Sequence, residues 1–137
     1  MRWFPNLVLA SEQFRNCTSL IEVTYPPKMT ACTYAFSGCN NLHKIYLNNI
    51  TSIGYAAIRV KASNCILYCP ATFTNFANYW NYDNAKFKII LPSETVIANN
   101  PGSGATAVYV PDESVAAYKT AWSSIASKIY PLSAFVE

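Results

Sequence analysis

Apolar residues return along this chain at a fixed interval. Phe14, Cys17, Leu20, Val23 and Tyr25 stand three, three, three and two residues apart. Adding 22 to each number gives Phe36, Cys39, Leu42, Ile45 and Leu47, with each chemical type kept or replaced by a relative. Adding 22 again gives Ile58, Lys61, Asn64, Leu67 and Cys69, and once more Trp80, Asp83, Lys86, Ile89 and Leu91. The later units lose the cysteine and the first leucine but keep the alternating apolar pair. The last unit is shorter, since Val108-x-Val110-Pro111 follows Ile89-x-Leu91-Pro92 at a spacing of 19.

The segments Glu22 to Tyr25, Lys44 to Leu47, Ile66 to Cys69, Lys88 to Leu91 and Ala107 to Val110 alternate with period two and are predicted to be short strands. Pro26, Pro70, Pro92 and Pro111 end four of them, because proline cannot donate to a strand ladder. A unit of this length cannot bury its apolar face alone, whereas stacked units can. The expectation is an α/β repeat solenoid of about five short coils over residues 1–111, with one parallel strand per coil. Residues 112–137 are then a capping helix and tail. Asp112 is placed as its N-cap, Glu113 in its first turn, and Val115, Tyr118, Trp122 and Ile125 on its apolar face. At the other end, subtracting 22 from Val23 and Tyr25 reaches Met1 and Trp3. The chain therefore begins within a predicted strand and leaves an edge carrying Trp3, Phe4 and Leu7. Such an edge invites self-association or an upstream domain, and a longer solenoid is the favoured explanation.

Ala35-Phe36-Ser37-Gly38-Cys39, within Thr30 to Leu47, resembles the unit of BspA-type leucine-rich repeats, in which AFxGCxxLxxIxL recurs. Val108 to Trp122, followed by Ile129-Tyr130-Pro131-Leu132, is similar to the closing segment of such proteins in gut bacteria and their phages. The resemblance implies a leucine-rich-repeat fold. It also implies a surface or adhesion role, or a structural or receptor-contact role in a virion, and so an extracellular, cell-surface or virion location. It supplies no single binding site to carry over.

Of 137 residues, 52% are hydrophobic and 12% charged, which argues against a disordered arm. A net charge of +3 without a basic run gives no phosphate track, so nucleic acid is not an expected partner. No apolar stretch reaches the roughly 20 residues of a membrane span, and Pro5 and Asn6 interrupt any signal-peptide core. Cys17 and Cys39 are unit-equivalent and expected to be buried free thiols, with Cys69 at a core strand position. His43 aligns with Cys65 on the next unit, but Cys65 and Cys69 lie too far apart along a strand to share one metal. Gly102-Ser103-Gly104 lacks the lysine of a phosphate loop, and no two acids occupy equivalent positions of neighbouring units. The chain is read as non-catalytic, without cofactor or metal.

The outward strand positions carry more information. Thr24, Tyr46, Tyr68, Ile90 and Tyr109 form one row, and Glu22, Lys44, Ile66, Lys88 and Ala107 form the parallel one. Tyr46, Tyr68, Tyr109 and Ile90, flanked by Lys44 and Lys88, make an amphipathic stripe suited to protein or glycan contact. A second aromatic stretch, Phe73, Phe76, Tyr79, Trp80 and Tyr82, runs among asparagines. In it Trp80 is placed in the core, and Phe76 and Tyr79 are placed as partly buried. The functional expectation is recognition of a protein or glycan on a cell surface through the outward face. The alternative is an assembly module that docks through the edge bearing Trp3, Phe4 and Leu7.

Overall fold

The structure, a computed structural model, describes residues 14–26, 36–81 and 85–137. Trp3, Phe4, Leu7, Cys32 and Tyr82 lie outside the described residues. Among the described residues the fold is α/β, with a parallel sheet of six strands and little helix. The sheet order is β1 (Glu22–Thr24), β2 (Lys44–Tyr46), β4 (Cys65–Tyr68), β6 (Phe87–Ile90), β7 (Ala105–Val110) and β8 (Ile129–Pro131). A second, two-stranded parallel sheet pairs β3 (Ser52–Ile53) with β5 (Asn75–Phe76), and the sequence pattern did not call for it.

Pairing follows the sequence interval. Val23 faces Ile45, Ile45 faces Leu67, Leu67 faces Ile89, Ile89 faces Val108 and Val108 faces Ile129. All six are 0–1% exposed, so they form one inward row on which the core is built. The rung just after each strand repeats as well: the amides of Tyr25, Leu47, Cys69 and Leu91 donate to the carbonyls of Tyr46, Tyr68, Ile90 and Tyr109 at 2.8–2.9 Å. Between β6 and β7 the pairing carries a bulge at Phe87/Lys88, where β7 has one residue more than β6. There the hydroxyl of Thr106, the extra residue, donates to the Phe87 carbonyl at 3.0 Å.

The loops opposite the sheet fill the core with aromatics. Phe73, Phe76, Trp80 and Phe87 run as a chain of ring contacts 4.7–5.3 Å apart. Trp80 Nε1 donates to the Pro101 carbonyl at 2.9 Å, so the indole N–H is satisfied at full burial. Phe76 is fully buried and Tyr79 is 71% exposed, which corrects the partly buried reading of both. Tyr79 sits at φ +56°, and this left-handed turn directs its ring outward. Cys39 is buried as expected but Cys17 is exposed. Cys39 precedes β2, which has a strand on either side, whereas Cys17 precedes β1, the outermost described strand.

The closing residues depart from a simple helical cap. A 3₁₀ turn (Asp112–Ser114) leads into α1 (Val115–Ala121), then a second 3₁₀ segment (Ser123–Lys128), and then β8, which joins the sheet beside β7. Pro131 is tolerated in β8 because that strand is an outer one among the described residues. Tyr118, Trp122 and Ile125 are buried in the common core with Val115 against them, as the helical spacing predicts. Asp112 is not an N-cap. Pro111 holds that position, and the Asp112 carboxylate instead accepts the Ser133 N–H at 3.1 Å.

Candidate functional site

The outer face of the sheet is the place where sequence reasoning and geometry meet. Strand alternation turns every second side chain away from the core. In register, Thr24, Tyr46, Tyr68, Ile90 and Tyr109 line up, and Tyr130 on β8 extends the row by one strand. Tyr130 was not among the predicted contacts. The Ile129-x-Pro131 alternation after α1 was the one signal for it.

The predicted contact residues are brought together. The rings of Tyr46 and Tyr68 stack 4.4 Å apart at 9°, a close parallel pair across β2 and β4. Tyr109 packs on Tyr130 at 5.7 Å. Lys44 and Lys88 sit on the parallel outer row, one on each side of Ile66.

These side chains are half-buried, because the segment after β8 returns across them. A 3₁₀ turn (Leu132–Ala134) follows β8 directly, and Phe135 then meets Tyr109 at 5.0 Å and Tyr68 at 6.4 Å, both edge-to-face. Its ring thus bridges β4 and β7 across the Ile90 position of β6. Two residues on, the Glu137 carboxylate pairs with the Lys44 ammonium on β2. Phe135 and Glu137 carry no periodicity, and sequence reasoning missed both.

The electrostatics follow from this crossing. The Lys44 ammonium, with the Tyr68 hydroxyl adding to it, holds the Glu137 carboxyl below the usual carboxylate range. The hydrogen bond to Glu137 in turn raises Lys44. Burial, with Tyr46 and the Glu137 charge adding to it, pushes Tyr68 up to about 12. The Lys44–Glu137 pair is open to water, with side chains 32% and 51% exposed, so solvent screens it.

Two hollows flank the crossing. One of about 440 Å³ is lined by Glu22, Thr24, Tyr46, Asn48, Tyr68, Cys69 and Pro70. The other, about 290 Å³, lies between Glu137, Asn64, Cys65, Ile66, Lys86, Lys88 and Thr106. The described cysteines are free thiols, and burial pushes Cys39 up to about 11 and Cys65 up to about 12. His43 is exposed, with Nδ1 3.4 Å from the Asn64 carbonyl oxygen. Among the described residues no three His, Cys, Asp or Glu side chains gather as a metal site, and no helix is long and apolar enough to cross a membrane. No family model matches the chain, and no curated protein or solved structure matches it either.

Proposed function

We propose that the protein is a non-catalytic recognition module that binds a protein or glycan through the outer face of its parallel sheet. On this reading the chain is a solenoid of the BspA leucine-rich-repeat type, and it works at a bacterial surface or in a virion. The 22-residue interval between paired strands supports the fold part of the proposal. The functional part rests on one observation: a continuous row of aromatic and apolar side chains, Tyr46, Tyr68, Ile90, Tyr109 and Tyr130, beside Lys44 and Lys88 on an outer sheet face. Cross-strand tyrosine pairs steady the sheet by a few tenths of a kcal/mol up to about 1 kcal/mol, and the same rigid amphipathic rings with nearby cations are effective contact residues.

The test is binding of the purified chain to bacterial cells, mucin glycans and matrix proteins, beside a Tyr46→Ala/Tyr68→Ala variant whose fold is checked by circular dichroism. Loss of about tenfold or more in affinity supports the face as the binding site. Equal binding by the variant, or binding by neither form, removes it.

A further inference from the structure

The segment that crosses the outer face lies there as a bound peptide would. Phe135 has extended backbone angles, φ −71° and ψ 128°. In an extended chain alternate side chains point to opposite sides. Phe135 and Glu137 accordingly turn toward the sheet while Val136, between them, is 77% exposed. The aromatic ring enters the gap between Tyr68 and Tyr109, and the acid reaches Lys44. The face therefore already displays a complementary ligand pattern: an aromatic residue followed, two places later, by a carboxylate.

We infer that the partner of this face is an extended peptide segment of another protein bearing an aromatic-x-acid pattern, and that residues 132–137 hold its place until it arrives. The inference rests on the recognition reading above and selects a peptide over a glycan. The resident segment is held in a way that permits exchange. Its ion pair is screened by water, and its ring is only half-buried. The surroundings favour a more acidic ligand than the resident one. Lys86 and Lys88 border the hollow beside Glu137, and the larger hollow continues past Tyr68 toward Thr24. A partner reproducing the aromatic and the acid, with further acids for these lysines, competes with the resident segment for the same contacts. A segment that binds in cis lowers the apparent affinity for any such partner by the fraction of time it occupies the face.

The probe is a fluorescein-labelled heptapeptide of residues 131–137, followed by fluorescence anisotropy. It is titrated into the unaltered chain and into a Phe135→Ala/Glu137→Gln variant, which frees the face. The freed face is expected to bind at least about tenfold more tightly than the unaltered chain. Adding Lys44→Ala to that variant, or replacing Phe by Ala in the peptide, is expected to weaken binding about fivefold or more. If the double variant does not fold, Glu137→Gln alone serves, since that exposed position carries no core packing. Equal affinity for freed and unaltered chains, or no binding to the folded freed chain, overturns the inference. A random heptapeptide display selected on the freed face separates this failure from that of the recognition reading. Enrichment of aromatic-x-acid sequences supports the inference. Binders that need Tyr46 and Tyr68 but lack the pattern overturn it and leave recognition standing. No binder that depends on those tyrosines removes both.

Discussion

Gly38 shows how a single position lets two turns approach closely. It sits at φ +80°, and a Cβ built there would lie 2.1 Å from Asn16 Oδ1 and 3.4 Å from Asn16 Cα. Asn16, its equivalent 22 residues earlier, also adopts positive φ, so the tight turn recurs where the short polar side chain can bear it. Gly38→Ala must both strain the backbone and displace Asn16, and is expected to cost about 1–2 kcal/mol in urea denaturation. Gly54→Ala, with nothing within 4 Å and no positive φ, is the near-neutral control. Equal effects would show that the turn is not tight. Tyr68 offers a second reading at this scale. Its hydroxyl, pushed up to about 12, keeps its proton more firmly folded than unfolded. The sign follows: its contribution to stability is complete below about pH 10 and is lost as pH rises toward 12. A difference titration at 295 nm against Tyr68→Phe reports this ionisation. Phe135→Ala, by uncovering the ring, is expected to bring it down toward the ordinary value, and an unchanged titration would mean that Phe135 does not cover Tyr68. Residue types at strand positions were legible from the 22-residue interval, because alternation leaves each position one choice of side. The exposure of Cys17 was not, because it depends on which strands lie beside it.

Elements fit together through a few buried polar anchors that a periodicity does not encode. The Tyr118 hydroxyl on α1 lies 3.1 and 2.9 Å from the carbonyl oxygens of Ser93 and Thr95, and Trp122 Nε1 donates to Ile97 at 3.0 Å. Together they fasten the loop after β6 onto the closing helix. Tyr118→Phe leaves the buried Ser93 carbonyl without this donor, while the Thr95 carbonyl keeps the Ser93 hydroxyl at 2.8 Å, and is expected to cost about 1–2 kcal/mol in the same denaturation measurement. A change within error would mean that water takes over the bond. The helical face itself was legible, since Val115, Tyr118, Trp122 and Ile125 recur at helical spacing. The partners of Tyr118 and Trp122 were not, being carbonyls whose side chains carry no signal. Asp112 illustrates the same limit: Asp after Pro reads as a cap, yet its carboxylate is drawn to Ser133 and anchors the segment leading to Phe135. The Ser133 hydrogen bonds lower Asp112, and Lys44 lowers Glu137. Both anchors are therefore present above the ordinary carboxylate pKa of about 4 and fade as pH falls below it. Acidification through this range is expected to raise the exposure of Tyr68 and Tyr109 to hydroxyl-radical labelling. Unchanged labelling would show that neither carboxylate holds the segment.

Across the whole molecule, stability should be graded rather than uniform, because each strand meets only its neighbours in a fixed order. β1 is bonded on one side only among the described residues, by β2. At the other end β7 is the longest of the described strands, paired on both sides, and its residues share a core with Tyr118, Trp122 and Ile129. Local opening is cheapest where few contacts must break. Backbone amides of β1 are thus expected to exchange with deuterium about a hundredfold faster than those of β6 and β7. The segment of residues 132–137 works against this gradient. It leaves β8, touches β7 and β4 through Phe135, and reaches β2 through Glu137, so it links the β7–β8 pair to the β2–β4 pair, which β6 otherwise separates. In Phe135→Ala/Glu137→Gln the amides of β2 and β4 should lose protection while those of β7 keep theirs, because β7 retains α1, β6 and β8. Protection lost equally everywhere would mean that the segment merely adds bulk stability. Protection lost nowhere would mean that it rests on the face without coupling to it. The selective pattern would instead describe a strap whose displacement by a peptide ligand is felt strand by strand, giving the outer face both a binding site and a mechanical consequence of filling it.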